Sequence, residues 1–236
     1  MKIAYIGAGS IQFGPLIIQD ILMSDVLCEE GLEIHLMDIE RSHLAEVIKH
    51  GDYVNQKLNR NAQIFATTNL EDAIRGADFV ICALEKDRNI YWSQDFHIPR
   101  KYGFKQVYGE NGGVGSFFHA LRNIKPIVEL AKLMEELCPK ALLLNFSNPE
   151  HKICQAVSQL TSIQSIGLCH GVFMGRDQIS EMLEIPLSEI QTKACGMNHF
   201  TWFQEIKHVT SGEDLYPKLK AREREGDWLA KWHELA

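Results

Sequence analysis

Two short segments carry side chains that suit a divalent metal ion. Cys169 stands in Gly-Leu-Cys-His-Gly at residues 167–171, and His199 closes Cys-Gly-Met-Asn-His at residues 195–199. A thiolate and an imidazole together suit Mn, Fe, Co, Ni or Zn. Each residue alone is more often an ordinary core thiol or a hydrogen-bonded histidine, so the spacing leaves a shared metal site open.

A glycine turn near the N-terminus has the features of a phosphate-binding loop. The turn, Gly-Ala-Gly-Ser at residues 7–10, joins an apolar run to a segment with helical periodicity. Small residues let the backbone approach a pyrophosphate, and the following helix offers N–H donors. We expect four residues to line a dinucleotide cofactor: Gly7, Gly9, Ser10 and Ile11.

Asp38 ends the next predicted strand, where a carboxylate can bind a ribose diol. A 2′-phosphate would meet that negative charge, which favours NAD over NADP. The third glycine of the usual fingerprint is missing, because Gln12 occupies its position and Gly14 follows two residues later. A purely structural glycine turn is the alternative.

Two further segments carry candidate substrate-binding side chains. Glu110 lies in the glycine-rich segment 109–115 and could act as a base or accept a hydrogen bond from a hydroxyl group. Asn148 lies in Asn-Phe-Ser-Asn-Pro-Glu at 145–150, where open α/β sheets bind ligands, and could orient a hydroxyl or a nicotinamide. A surface loop and an Asn-Pro turn are the respective alternatives. Other charged or polar candidates for substrate contact are Arg88, Asn89, Asp95 and Arg122.

Composition excludes several classes of protein. The 236 residues include 45% hydrophobic and 23% charged residues with a net charge of −7, so neither a nucleic acid nor an anionic membrane is predicted as a partner. The six cysteines form no CxxC pair. With neither a signal peptide nor a long apolar run in the sequence, this pattern predicts a cytoplasmic protein.

Alternating strand and helix patterns predict an α/β fold, a doubly wound parallel (Rossmann-type) sheet followed by the start of a second α+β substrate domain. Predicted strands cover residues 2–6, 33–38, 63–66, 77–83, 141–146 and 165–168. Segment 85–120 is predicted to be largely irregular. We predict an NAD-binding domain over 1–188 and an incomplete second domain over 189–236, with paired strands at 189–195 and 201–206 and a polar helical tail from 217.

The order of these motifs along the chain resembles glycoside hydrolase family 4, the NAD- and divalent-metal-dependent glycosidases. The resemblance extends over nearly the whole chain and is most specific at Leu-Cys-His, residues 168–170, and Gly-Met-Asn-His, residues 196–199. It implies that Cys169 and His199 bind a metal, most often Mn, and that Asn148 contacts sugar hydroxyls. Glu110 matches the acid of the glycine-rich loop.

The resemblance also implies a mechanism unlike two-carboxylate glycoside hydrolysis. The sugar is oxidised at C3 by hydride transfer to NAD⁺, loses its C2 proton, and releases the C1 glycosidic oxygen by elimination. Water then adds, and the hydride returns. The metal polarises the oxygens at C2 and C3.

His170 follows the cysteine of the metal motif. Family members that act on 6-phosphosugars often have Asp or Asn there, whereas those acting on free sugars tend to have His. The resemblance therefore implies an α-galactoside, α-glucoside or α-galacturonide as substrate, and we hypothesise that His170 assists protonation of the leaving group. The sequence leaves the sugar open.

One part of the family pattern is missing from this sequence. The family's general-base tyrosine follows the Asn-His motif by a long interval, and the only later tyrosine here, Tyr216, has a different context. We expect the chain to be the N-terminal part of a longer protein, which would be a homodimer or homotetramer, and the part alone could be inactive. An NAD-dependent 2-hydroxy-acid dehydrogenase and a non-catalytic NAD-binding subunit are the alternatives.

Overall fold

The structure is a computed structural model that describes residues 1–11, 13–28, 31–106 and 110–226. It divides into two compact units, Met1–Leu168 and Cys169–Ala236. The part of the predicted polar helical tail after residue 226, which includes Trp228 and Trp232, lies outside the described residues. Among the described residues, none of the helices is both long enough and apolar enough to cross a bilayer.

The first unit contains a six-stranded parallel sheet with strand order β3-β2-β1-β4-β5-β6. The strands are β1 (Lys2–Ile6), β2 (Glu33–Met37), β3 (Gln63–Thr67), β4 (Phe79–Cys82), β5 (Leu142–Asn145) and β6 (Ser165–Gly167). The central strands β1 and β4 are almost continuously apolar because helices cover both faces of the sheet. The order reverses between β1 and β4, which is where doubly wound sheets bind ligands. The predicted fold class is confirmed.

One face of the sheet is covered by helices α1 (Gly14–Met23) and α2 (Arg41–Lys57). Alternate residues of β1 and β2, such as Tyr5 and Leu36, pack there against Ile18 of α1 and Val47 of α2. This burial holds the start of α1 beside the turn that follows β1.

The opposite face is covered by α3 (Leu70–Ile74), α5 (Gly113–Leu137) and α6 (Glu150–Leu160). Its core includes Ile74, Val80, Ile127, Leu143 and Ile153, which are all fully buried. Pro126 lies within the continuous helix α5.

The prediction that segment 85–120 is largely irregular was wrong. Helix α4 (Arg88–Lys101) occupies its first part, and α5 begins at Gly113, eight residues before the predicted start at 121. The apolar periodicity that indicates a helix is weak in α4, because the residue it buries at its centre is Asp95. Polar contacts to α5 replace the usual apolar stripe.

The second unit contains α7 (Gly171–Leu183), an antiparallel pair of strands, β7 (Ile190–Met197) and β8 (Phe200–His208), and α8 (Tyr216–Glu225). Its small core joins Ile179, Ile190, Ile206 and Leu215. Along the chain, the division between the two units falls between Leu168 and Cys169. The functional domain boundary at 188/189 stays a prediction.

Candidate active site

The turn after β1 is held by hydrogen bonds to the end of β2. The backbone N–H groups of Gly7 and Ala8 both donate to the Met37 carbonyl oxygen, at 2.9 and 3.0 Å. Ser10 continues the turn, since its hydroxyl accepts a hydrogen bond from the Phe13 N–H at 3.2 Å. The Ile11 side chain is 91% exposed beside it.

Asp38 is joined directly to this turn. Its Oδ2 accepts a hydrogen bond from the Gly9 N–H at 2.9 Å, and its Oδ1 accepts one from the Glu40 N–H at 3.0 Å. A Cβ atom built on Gly9 would lie 2.7 Å from Asp38 Oδ2, so a larger residue would displace the carboxylate. Each carboxylate oxygen has a further lone pair, which leaves acceptors for a diol.

Gly14 provides the close helix–strand packing that the third glycine of the fingerprint usually provides. It is the first residue of α1, and a Cβ atom on it would lie 2.3 Å from the Ala8 carbonyl oxygen. The glycine is therefore displaced by two residues, not absent. Dinucleotide-binding folds use a glycine for this close approach of helix and strand.

The structure brings Glu110 and Asn148 together at the carboxyl end of the sheet. The Asn148 side-chain amide donates to Glu110 Oε1 at 3.4 Å. Glu110 Oε2 accepts hydrogen bonds from the Trp92 indole N–H at 3.1 Å and from Arg88 at 3.2 Å. The Glu110 side chain is only 7% exposed, so these donors offset the loss of hydration of its carboxylate.

A second set of buried polar residues lies beneath this pair, between α4 and α5. Asp95 forms an ion pair with Arg122, and its Oδ2 lies within hydrogen-bond distance of His119 Nδ1, at 3.2 Å. Burial is the main cause that lowers the pKa of His119 to about 4, and the positive charges of Arg122 and Arg88 lower it further. The imidazole is therefore neutral at neutral pH.

Glu85 completes the polar cluster from the loop after β4. It forms an ion pair with Arg88, and its Oε1 lies 3.7 Å from His119 Nε2. Burial raises the pKa of Glu85, although the Arg88 guanidinium acts in the opposite direction.

Glu85, Glu110 and His119 bring three potential metal-ligand atoms within 4.8 Å of one another. Arg88 already pairs with both carboxylates, and His119 Nε2 faces the Asn123 amide nitrogen at 3.0 Å. A guanidinium therefore supplies the positive charge that a metal would bring. We interpret these residues as an ion-pair cluster.

Cys169, His170 and His199 all belong to the second unit. Cys169 is half-buried, and its Sγ accepts a hydrogen bond from the Gly171 N–H at 3.3 Å. His170 is exposed at the N-cap of α7, while His199 lies in the two-residue connection of the β7–β8 hairpin with φ of 61°. A metal shared by Cys169 and His199 stays a prediction.

Sequence reasoning missed four members of the cluster: Glu85, Trp92, His119 and Asn123. Glu85 follows a buried strand by three residues, a position at the ligand-binding edge of the sheet that gives a usable signal. His119 and Asn123 have the i, i+4 spacing of one helix face, but that signal requires recognising α5 at residue 119.

Two models of known protein families match this chain. The model described as family 4 glycosyl hydrolase matches residues 2–185, and the model of the family's C-terminal domain matches residues 194–236. The chain belongs to glycosyl hydrolase family 4.

Relatives within family 4 include two α-glycosidases. An α-glucosidase of Erwinia rhapontici is 38% identical over 223 residues, which cover 94% of this chain and 49% of that protein. An α-galactosidase of Bacillus subtilis (strain 168) is 33% identical over 228 residues, covering 95% of this chain and 51% of that protein. This family 4 chain thus spans about half the length of the curated relatives it matches.

A solved family 4 structure has the same fold. The 6-phospho-β-glucosidase from Thermotoga maritima, solved with manganese, NAD⁺ and glucose 6-phosphate, is 26% identical. It superposes with a TM-score of 0.78 over 96% of this chain and 54% of that chain.

Proposed function

We propose that this chain is part of an α-glycosidase that uses NAD and a divalent metal, most often Mn, to cleave non-phosphorylated glycosides. Membership of family 4 is the observation that carries the proposal, together with relatives that are an α-glucosidase and an α-galactosidase. Family membership leaves a 2-hydroxy-acid dehydrogenase less supported. The sugar itself, an α-glucoside, α-galactoside or α-galacturonide, is for experiment to decide.

NAD fits the turn after β1. Gly7, Gly9, Ser10 and Ile11 form the turn, and the space that a Cβ on Gly9 would fill lies beside Asp38. Asp38 carries acceptor oxygens for the adenosine ribose diol, and the positive end of the α1 helix dipole lies beside the turn, where it would favour a pyrophosphate. When bound, NAD⁺ supplies a hydride acceptor for the sugar. The solved relative with NAD⁺ supports this assignment.

A divalent metal fits the donor types of Cys169 and His199. A thiolate and an imidazole bind Mn, Co, Ni or Zn, and the Gly171 N–H orients Cys169 Sγ. When bound, the metal supplies Lewis-acid polarisation of sugar oxygens. The manganese in the solved relative supports this part of the proposal. In this proposal His170, next to Cys169, assists protonation of the leaving group.

Glu110 and Asn148 are proposed to hold the sugar ring and the nicotinamide end of the cofactor. The Asn148 amide has a second N–H, besides the one on Glu110, that would donate to a hydroxyl or a carboxamide, and the Glu110 carboxylate would act as an acceptor beside it. Burial excludes water from this carboxylate and strengthens each hydrogen bond to it.

The deciding experiment follows the C2 proton of the sugar. The longer protein that contains this chain is incubated with NAD⁺, Mn²⁺ and 4-nitrophenyl α-glucoside, α-galactoside or α-galacturonide in D₂O. Oxidation and elimination exchange the C2 proton, so the released sugar should contain deuterium at C2. Cleavage that leaves the C2 proton in place would overturn the oxidative mechanism, and a lack of cleavage of all three glycosides would overturn the substrate class.

The 236-residue chain by itself is proposed to bind NAD⁺ while cleaving glycosides weakly or not at all. Isothermal titration with NAD⁺ measures the first property, and nitrophenol release measures the second. Strong release by the chain alone would show that it holds every catalytic group.

We further propose a domain boundary near 188/189 and a homodimer or homotetramer of the longer protein. The first family-model match ends at residue 185 and the second begins at residue 194, so the proposed boundary lies in the interval between them. Light scattering coupled to gel filtration tests the oligomer, and a monomer at micromolar concentration would contradict it.

A further inference from the structure

The carbonyl group of Asn148 is held by a buried side chain from α5. The Asn123 amide nitrogen donates to the Asn148 carbonyl oxygen at 3.2 Å, and its other hydrogen faces His119 Nε2 at 3.0 Å. The Asn123 Oδ1 accepts a hydrogen bond from the Lys86 N–H at 3.2 Å. Both donors and the acceptor of this amide are therefore engaged, and Asn123 is only 1% exposed.

His119 determines which way this amide points. Its Nδ1 lies 3.2 Å from Asp95 Oδ2, and the ion pair with Arg122 keeps that oxygen an acceptor, which favours the hydrogen on Nδ1 even though Glu85 Oε1 lies 3.7 Å from Nε2. A neutral imidazole has one N–H group, and Nε2 is then an acceptor for Asn123. A flipped Asn123 amide would set its oxygen against the Nε2 lone pair and the Asn148 carbonyl oxygen.

We propose that His119 and Asn123 are positioning residues that fix Asn148 beside Glu110. This proposal rests on the proposed role of Asn148 in binding cofactor and sugar. Asp95 contacts His119, His119 contacts Asn123, and Asn123 donates to the Asn148 carbonyl oxygen. The Asn148 side-chain amide in turn donates to Glu110. The backbone and the side chain of Asn148 are thereby fixed by separate partners.

The proposal also explains why two polar side chains, His119 and Asn123, are buried at a cost in hydration free energy. An imidazole and an amide that are each about 1% exposed lose hydration on folding, and an apolar pair could fill the same space. A fully satisfied buried network instead specifies one side-chain orientation. That property is useful where a ligand-binding asparagine must present its amide in one direction.

The first test needs no ligand. Nitrogen-15 NMR of the ring of His119 in the 236-residue chain at pH 7 should show the hydrogen on Nδ1 and none on Nε2. A hydrogen on Nε2, or on both nitrogens, would overturn the proposal whatever the chain binds.

A matched pair of variants separates positioning from simple packing. His119→Gln places an acceptor oxygen near the position of Nε2, whereas His119→Asn retains a donor near Nδ1 and removes that acceptor. We expect the side-chain amide signal of Asn148, assigned with Asn148→Ala, to move in His119→Asn and to stay close to wild type in His119→Gln. Equal signals in both variants would overturn the proposal, and the tautomer measurement on the wild type still decides it if His119→Asn does not fold.

Binding of NAD⁺ distinguishes this proposal from the proposed function. His119→Asn should weaken NAD⁺ binding about tenfold, the cost of one misplaced hydrogen bond, and His119→Gln should bind within about twofold of wild type. If the Asn148 signal moves but Asn148→Ala binds NAD⁺ normally, the positioning stands and the cofactor role of Asn148 fails. If Asn148→Ala loses binding while both His119 variants bind equally, the positioning proposal fails.

Discussion

A Cβ atom on Gly115 would lie 2.0 Å from the carbonyl oxygen of Asp95, so α4 and α5 make backbone contact at this point. Because of that contact, Asp95 reaches His119 one turn further along α5. The glycine therefore sets the separation of the two helices that hold the buried polar cluster.

Gly115→Ala should lower the free energy of unfolding by about 1 to 3 kcal/mol, since the new methyl group must push α4 away from α5. Gly112→Ala is the matched control, because nothing lies within 4 Å of its Cβ position and its φ of −128° suits any residue. Urea unfolding followed by circular dichroism measures both. Equal stability of the two variants would contradict the close helix contact.

Asp38→Ala should weaken NAD⁺ binding about tenfold to hundredfold, because hydrogen bonds from a ribose diol to a carboxylate are lost. It should also reduce the preference for NAD⁺ over NADP⁺, since the negative charge facing a 2′-phosphate disappears. Asp20→Ala is a suitable control because Asp20 is exposed on α1. Titration calorimetry with each nucleotide gives the two affinities, and unchanged selectivity would argue against a ribose contact.

The stability of the first unit should fall as the pH is lowered from about 6.5 to about 4. Burial and the nearby arginines depress the pKa of His119 from 6.5 in the unfolded chain to about 4, so the unfolded chain binds its proton first. The stabilisation is complete above pH 6.5 and is lost through this window, on the order of 3 kcal/mol in total. Raised carboxyl pKa values at Glu85 and Asp95 act in the opposite sense.

His119→Gln isolates this contribution. Thermal unfolding of wild type and variant is compared at several values between pH 4 and pH 7.5. The difference in stability between the two proteins should change across the window and stay constant above it. A difference that does not vary with pH would show that His119 titrates normally.

Cys169→Ser should weaken Co²⁺ binding by more than about tenfold and abolish the thiolate-to-cobalt absorption band. Cys195→Ser is the control, since Cys195 is an exposed cysteine of the same unit. His199→Ala should weaken binding while leaving the thiolate band at saturating Co²⁺. A band that survives in Cys169→Ser and disappears in Cys195→Ser would show that Cys195, and not Cys169, binds the metal.

The sheet could be predicted from the sequence because its strands are buried on both faces. Runs such as residues 3–6 and 79–82 are apolar over their whole length and alternate with amphipathic helices. Asn69 is a residue type that favours the N-cap, and its side chain accepts hydrogen bonds from the Glu71 and Asp72 N–H groups at the start of α3. Local chemistry determines these features.

The polar cluster could not be predicted in the same way. Helix α4 buries Asp95 in place of an apolar residue, so its periodicity gives little signal, and the reason for burying it lies on α5. Motif order identified Glu110 and Asn148 as site candidates, but their mutual hydrogen bond and the support from Asn123 depend on residues far apart in sequence. Such partners become visible only when the chain is folded.

Arg88 gives the carboxylates at the sheet edge a counter-charge that a chelator cannot remove. A divalent ion can be taken from a protein by EDTA, but a guanidinium between Glu85 and Glu110 is part of the chain. The ion pairs of Arg88 with Glu85 and Glu110 should therefore persist in metal-depleted protein.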